Sequence, residues 1–339
     1  LAMVTQKMEA QPKIAVIILN YNSKKFILKF LDNVVRKSLN ADIYIFDNGS
    51  TDDSIEYIES KYPGLKIIKN KKNDGYAGGY NKALKEVCSD YYILLNSDIE
   101  VTDNWINPVI ELMKKDNQIA ACQPKIKNYY NKDYFEYAGA SGGFLDYLGY
   151  PFCRGRIFNT VEKDYGQYNN SREIFWASGA CLFIKSKCFH EVNGFDIDFF
   201  AHMEEIDLCW RLKNKGYSIW VEPASTVYHV GGGTLNKTNA FKTFLNFRNN
   251  LFMMFKNLKN PWKIIIIRLF LDGLAGLKFL VERKPKHTLA IIKAHFSFYS
   301  NIKKLNNKKL KKFSNIKLFN KSVIISYYLK RIKKFSAFK

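Results

Sequence analysis

The stretch Tyr91-Tyr92-Ile93-Leu94-Leu95-Asn96-Ser97-Asp98 sets the frame for the rest of the chain. Five large apolar residues in a row, too few for a helix, read as a strand buried on both faces. The run breaks into a polar group, Asn96-Ser97-Asp98, suited to hold a metal or a ligand. Upstream the pattern repeats. Ile14 to Leu19 is a β-branched run closed by Asn20-Tyr21-Asn22, and Ile43-Tyr44-Ile45-Phe46 is closed by Asp47-Asn48-Gly49-Ser50. Leu65 to Ile68 precedes Asn73-Asp74-Gly75. Helical patterns lie between: Lys24 to Lys37, Ser50 to Lys61 with its Thr51-Asp52-Asp53 start, and Gly78 to Val87. Strands alternating with helices predict an α/β fold with a parallel sheet covered on both faces. Ligands bind beyond the carboxyl ends of such strands, where these polar clusters fall.

Downstream the pattern loosens. Tyr129 to Arg172 is rich in Tyr, Gly and Asn and reads as long loops and short strands lining a groove. Phe175 to Ile184 reads as a buried strand in which Ser178-Gly179-Ala180 admits a close approach. Glu204 to Lys213 reads as a helix, Tyr217 to Val221 as a strand, and His229 precedes three glycines. From Lys242 on the chain reads as helical. The expected division is a leader over 1–12, disordered or left from cloning, a catalytic body over 13–240, and a helical, basic region over 241–339.

The 339 residues carry a net charge of +22, unevenly placed. Of 53 Lys and Arg, 17 lie between Arg283 and Lys339, a stretch with no Asp or Glu. The body before it is close to neutral and the tail is cationic. The tail is expected on an anionic membrane surface, with Val323-Ile324-Ile325 and Tyr327-Tyr328-Leu329 adding apolar contact; a solvated helical arm is the alternative. Trp262 to Val281 is interrupted by Lys263, Arg268, Asp272 and Lys278, so a helix lying in the membrane interface fits better than a spanning one. The six cysteines show no C-x-x-C pair and read as reduced core residues. The expected location is cytoplasmic, peripheral to the inner face of the cell membrane.

Phe199 to Asp207 packs three carboxylates, Glu204, Glu205 and Asp207, between apolar side chains. A fold tolerates their repulsion where a cation, a hydroxyl or a proton shares the site. Asp207 and Arg211 are spaced for an i,i+4 ion pair, which leaves Glu204 and Glu205 without an obvious cation. First-turn acids that complement a helix dipole are the structural alternative. Asp98 suits a divalent cation bridging a diphosphate, or else caps a turn. Asp47 can accept from a nucleobase imide N–H, or simply belong to a capped turn. The turn holding Gly75, Gly78 and Gly79 can bring N–H groups near a pyrophosphate, but it matches no phosphate-loop spacing, and a tight helix entry is the alternative. A lone His such as His229 is more often not a ligand. Together Asp98 and the acids at 204–205 suggest a metal-dependent transferase with a carboxylate base.

Seven segments in order resemble family 2 glycosyltransferases of the GT-A fold, close to the rhamnosyltransferase-like branch. They are Ile17 to Asn22, Asp47 to Asp52, Asn73 to Gly79, Leu94 to Asp98, Gly194-Phe195-Asp196, Glu204 to Leu208 with Arg211, and His229. The resemblance covers about Ile14 to Gly233. It implies a Rossmann-like nucleotide-sugar domain and inverting transfer from a UDP or dTDP sugar to a glycan or lipid-linked acceptor, with Mg2+ or Mn2+. Rhamnose is the sugar implied by that branch alone. By carry-over, Asn20, Asn22, Asp47, Gly75, Gly78, Gly79, Asn96 and Asp98 serve the donor. Asp98 and His229 serve the metal, Glu205 is the general base with Glu204 in reserve, and Asp207 with Arg211 gives support. Two positions depart from the family: Asn96 replaces the first Asp of its Asp-x-Asp, and Glu205 replaces the Asp of its Glu-Asp pair.

The cationic tail also raises nucleic-acid binding as a class. No recognised module accompanies it and the acids of the body oppose it, so no nucleic-acid partner is expected. A nucleotide-sugar binder without transferase activity is the other alternative, and the presence of Asp98 and Glu205 opposes it.

Overall fold

A computed structural model describes residues 11–231 and 239–338. Most of the expected leader, and Gly232 and Gly233 of the glycine turn, lie outside the described residues. The early alternation is present as β1 (Ile14–Asn20), α1 (Lys24–Lys37), β2 (Asp42–Asp47), α2 (Ser54–Lys61), β3 (Lys66–Lys69), α3 (Gly75–Glu86) and β4 (Tyr91–Asn96). Then come β5 (Ile99–Val101), α4 (Asn107–Lys115) and β6 (Ile119–Asn128). The loosely patterned stretch holds four short strands, β7 (Gly143–Leu145), β8 (Pro151–Cys153), β9 (Arg156–Ile157) and β10 (Thr160–Val161), which form a small sheet of their own. The main sheet is completed by β11 (Arg172–Ile174), β12 (Cys181–Lys185) and, after α5 (Ser186–Glu191) and α6 (Glu204–Asn214), by β13 (Ser218–His229). Helices α7 (Ala240–Asn257), α8 (Trp262–Val281), α9 (Pro285–Asn307) and α10 (Val323–Tyr328) follow.

Strands β1 and β4 are buried along nearly their whole length, which is why they read as unbroken apolar runs. Helix α1 turns Ile27, Phe30, Leu31 and Val34 to the sheet and ends on Arg36 and Lys37, cations at the negative end of its dipole. The main sheet runs β11-β13-β6-β12-β4-β1-β2-β3, with β5 on β13. It is mixed, which corrects the wholly parallel sheet expected from the first 96 residues. β4, β1, β2 and β3 are parallel, but β12 runs antiparallel to both β4 and β6. After the small sheet and β11 the chain returns at the carboxyl end of β4, so Cys181 pairs with Leu95 and β12 runs back. The buried strand expected from Phe175 therefore begins only at Cys181. The close approach at Gly179 is made by Tyr76, whose hydroxyl donates to the Gly179 carbonyl at 2.7 Å.

Strand order reverses between β1 and β4, where β2 and β3 lie on one side and β12 on the other. Crevices form at such reversals, and the main cavity opens there. The cationic tail is packed onto the body. Helix α9 lies along α7 with Phe298 and Leu305 fully buried, and Phe319 N–H bonds the Leu145 carbonyl at 2.9 Å. Its lysines point outward from that apolar seam. No helix among the described residues is long and apolar enough to cross a membrane. The six cysteines are unpaired; five are buried, and Cys88, expected in apolar surroundings, is exposed.

Candidate active site

The cavity is about 850 Å3 and takes its walls from the carboxyl ends of β1 and β4, the start of α3, the turn before α6 and the end of β13. Of the residues singled out in sequence, Gly75, Asn96, Asp98, Glu204, Glu205 and His229 line it. Asn20, Asn22, Asp47, Gly78 and Gly79 do not; they hold the loops that do. Asn20 Nδ2 reaches Asp47 Oδ1 at 3.2 Å and Ser54 Oγ at 2.8 Å, tying β1 to β2 and α2. Asn22 Oδ1 accepts from Thr51 N–H at 2.7 Å, and the Asp47 carboxylate accepts from Ser50 N–H at 3.3 Å. Gly79 is required by proximity, since a Cβ there would come within 2.8 Å of Leu19 Cδ1.

Asn48 is the hub of this end. Its Nδ2 donates to Asn73 Oδ1 and the Gly75 carbonyl, both at 3.0 Å, and its Oδ1 accepts from Asn70 Nδ2 and Asp74 N–H. Gly75 sits at φ +72° with Phe200 where a Cβ would stand, at 2.5 Å. The Phe200 carbonyl accepts from Ala77 N–H at 3.2 Å. The turn that opens α3 and the loop before α6 are thus in contact.

That loop is strained. Phe200, His202 and Met203 all adopt φ between +62° and +72°, a region costly to residues with a Cβ. It is held from α7. Asn249, fully buried, directs Nδ2 at the carbonyls of Phe199 (2.9 Å), Ala201 (2.9 Å) and His202 (2.7 Å). Arg248 adds a bond to the Asp198 carbonyl at 3.0 Å. The loop delivers Glu204 and Glu205 to the first turn of α6, facing the cavity. The Oε2 atoms of both, together with His202 Nε2, are buried without a hydrogen-bond partner among the described residues. Buried polar atoms are rarely left so, and three that converge on one cavity leave room for a water, an ion or a ligand to complete the bonding.

Burial raises Glu205 to about 7, with the N–H groups of Glu205, Ile206 and Met203 pulling part of the way back. Burial raises Glu204 further, with Glu205 as the next cause. Burial lowers His202 to about 4, so it is a neutral imidazole with a free nitrogen. Asp207 is different. Burial would raise it, but Lys256 at 3.1 Å and Arg211 at 2.8 Å outweigh that and hold it below the usual range. Asn257 Nδ2 donates to it at 2.8 Å. The expected Asp207–Arg211 pair is present, joined by two partners from α7.

Across the cavity, His229 Nε2 lies 3.1 Å from Asp98 Oδ1. Its Nδ1 lies 3.2 Å from Glu136 Oε2, close but without hydrogen-bond alignment. Burial pulls His229 down, and the two carboxylates outweigh it and push it up to about 10. Among the described residues no three His, Cys, Asp or Glu form a closed metal site. Asp98 and His229 fit an open one. Carboxylate and imidazole are donor types that a divalent cation accepts. A cation there must displace the imidazole's proton, and Glu136 would then orient the ring from behind.

Sequence reasoning missed Glu136, His202, Asn48 and Asn249. His202 and Asn48 lay inside quoted motifs, and their polar types amid apolar neighbours were the available signal. Glu136 lies in a stretch without periodicity, and Asn249 in an ordinary helical run, so neither carried one.

The family model for Glycosyl transferase family 2 matches residues 15–187. The N-acetylglucosaminyl-diphospho-decaprenol L-rhamnosyltransferase of Mycobacterium tuberculosis (strain ATCC 25618 / H37Rv) is 26% identical over 211 residues, covering 57% of this chain and 67% of that protein. Rhamnosyltransferase WbbL of Escherichia coli (strain K12) is 25% identical over 222 residues, covering 63% of this chain and 82% of that protein. Mannosyltransferase PcManGT from Pyrobaculum calidifontis, solved with GDP-Man and Mn2+, matches with TM-score 0.53 at 14% identity over 86% of this chain and 88% of its own. GalNAc-T7, solved with UDP, GalNAc and Mn2+, matches with TM-score 0.53 at 18% identity over 64% of this chain and 43% of its own. These structural likenesses show the fold, a GT-A-type α/β architecture with a mixed central sheet. The family match takes in half of the sequence, from β1 to the start of α5. The chain belongs to glycosyl transferase family 2.

Proposed function

We propose that the chain transfers a sugar, with inversion, from a nucleotide-diphosphate sugar to an acceptor hydroxyl in cell-surface glycan assembly. The observation that supports it most is the pair of carboxylates, Glu204 and Glu205, each with one oxygen that has no partner among the described residues, in one cavity with Asp98 and His229. Glu205 is the base: it is the less buried of the two, and burial raises it to about 7, near working pH. The acceptor oxygen attacks the anomeric carbon as Glu205 takes its proton, and the bond to the diphosphate breaks on the opposite side. Asp98 and His229 hold Mn2+ or Mg2+, which when bound offsets charge on the departing diphosphate. Gly75, Asn96 and Asp98 contact the donor. Asn20, Asn22, Asp47, Gly78 and Gly79 act by holding its loops. His202, neutral with a free nitrogen, hydrogen-bonds substrate.

The named activities of the bacterial relatives favour a rhamnosyl donor, which we take to be a dTDP or UDP sugar, and that of the Mycobacterium tuberculosis enzyme favours an acceptor carried on a lipid. An enzyme with such an acceptor works at a membrane surface, on the cytoplasmic side where nucleotide sugars are made. The test is a panel of nucleotide sugars offered to the purified protein with Mn2+ or Mg2+. Metal-stimulated release of nucleotide from one donor, lost in Asp98→Ala, is expected. Donor binding with no release under any condition would favour a binding protein instead.

A further inference from the structure

Helix α8 is inside out for a protein in water. It buries the two charges of its middle turns and exposes a stripe of apolar residues, the reverse of a surface helix, while Lys263 and Lys278 nearer its ends stay exposed. Arg268 and Asp272 are 3% and 1% exposed, and they pair with each other at 3.3 Å. Ile266 and Phe270, one turn apart, are 64% and 67% exposed, and Leu274 and Leu277 continue the stripe. Helix α9 runs back beside it with Ile292 and Phe296 outward. Contiguous exposed apolar surface of this kind marks an interaction site.

The charge around the face selects its partner. From Trp262 to Asn307 there are nine Lys and Arg and two acids. Arg268 and Asp272 are buried against each other, Glu282 is paired with Lys278 and Lys284, and Lys304 with Asp198, while Lys263, Arg283, Lys286, Lys293 and Lys303 are exposed. A second copy of the chain would set cations against cations. Anionic headgroups over acyl chains satisfy both the cations and the apolar stripe. The half-exposed Trp262 and Tyr299, with apolar bodies and polar tips, suit the headgroup boundary.

The face also has a fixed relation to the cavity. Phe241 and Lys242, on the first turn of α7, line the cavity. The next residue, Thr243, bonds through its hydroxyl to His287 Nδ1 at 2.7 Å. Thr288 then bonds the Gly276 carbonyl of α8 at 2.8 Å. The 276–289 end of the hairpin therefore stands at the cavity mouth.

We propose that the outward faces of α8 and α9 rest on an anionic bilayer and set the cavity mouth at its surface, where a lipid-carried acceptor passes Phe241 to reach the carboxylates. The acceptor half of this rests on the glycosyltransferase reading; the docking half does not. Co-sedimentation of the full chain is read with vesicles of phosphatidylcholine alone and with added phosphatidylglycerol. The wild type binds the mixed vesicles, and high salt weakens but does not abolish binding. Ile266→Asp/Phe270→Asp/Leu277→Asp loses about tenfold or more in affinity, since each charge must stay out of the hydrocarbon. Ile266→Ser/Phe270→Ser, a gentler change, loses an intermediate amount. Both keep wild-type donor hydrolysis in solution, because these side chains touch neither cavity nor core. Undiminished vesicle binding by either variant overturns the proposal. So does a wild type that ignores vesicles, including one that forms dimers through this face. If docking behaves as expected while no nucleotide sugar is turned over, the surface stands and the transferase assignment falls.

Discussion

Replacing Glu205 with Gln tests the heart of the site, because it changes a charge and almost nothing else. In the folded chain burial favours the neutral carboxyl and raises it from an ordinary 4.5 to about 7. The folded chain therefore holds this proton more tightly than the unfolded one. That advantage is complete below about pH 4.5, fades as pH rises, and is gone above about 7. A shift of this size corresponds to about 3 kcal/mol at most. Glu205→Gln carries no such penalty, so relative to wild type it gains up to about 3 kcal/mol of stability between pH 5 and pH 8. Relief of Glu204, whose second cause of elevation is Glu205, adds in the same direction. The same change removes the base, so transfer falls by roughly 100-fold or more while donor binding persists. Urea unfolding at pH 5 and pH 8, paired with a transfer assay, reads both effects. A stability difference identical at the two pH values would refute the dry environment assigned to Glu205. Transfer that survives in Glu205→Gln but dies in Glu204→Gln would move the base by one residue.

Other outcomes follow from the same geometry. Wild-type transfer should rise with pH through about 7 and level off, as Glu205 loses its proton; a rate flat from pH 5 to 9 would contradict its role. Asp98→Ala should abolish metal-stimulated turnover, and full activity with unchanged metal dependence would remove it from the cation site. Asp207→Asn should cost about 3 kcal/mol of stability, because the buried Lys256 and the partly buried Arg211 lose an anionic partner, and denaturant midpoints will show whether it does. Asn249→Ala should lower kcat by about tenfold or more with the donor KM held, since the strained loop it clasps carries the base and not the donor turn; equal losses in kcat and donor affinity would make Asn249 merely structural.

Much of this was legible because burial and periodicity act locally. Ile14 to Leu19 and Tyr91 to Leu95 are strands for reasons confined to their own residues, and helix α1 matched its pattern at both ends. Motif order along the sequence also located the cavity, since polar clusters at strand ends converge wherever strand order reverses. Direction was not legible. Nothing within Cys181 to Lys185 records that it runs against β4, because that depends on where the preceding excursion returns. The partners of His229 were half legible: Asp98 came with its motif, whereas Glu136 arrives from a loop with no period. The polarity of α8 was hidden too. Its four charges were visible, but only packing against Leu148 and Tyr150 shows that Arg268 faces inward while Ile266 and Phe270 do not.

The clasp from α7 has a consequence for how the protein comes into being. A chain emerges from the ribosome amino end first, at about 5–20 residues per second, and its early parts fold as they emerge. Strands β1 to β13 are complete once residue 229 has been made, so the sheet and the donor turn precede the rest. Asn249, Lys256 and Asn257 come later, and α7 itself leans on α9, which ends at Asn307. Until then the loop before α6 has no support for its three left-handed residues, and Asp207 lacks two of its three side-chain partners. The end of the cavity built on α3 is thus finished early in synthesis, and the end that carries Glu204 and Glu205 is assembled last.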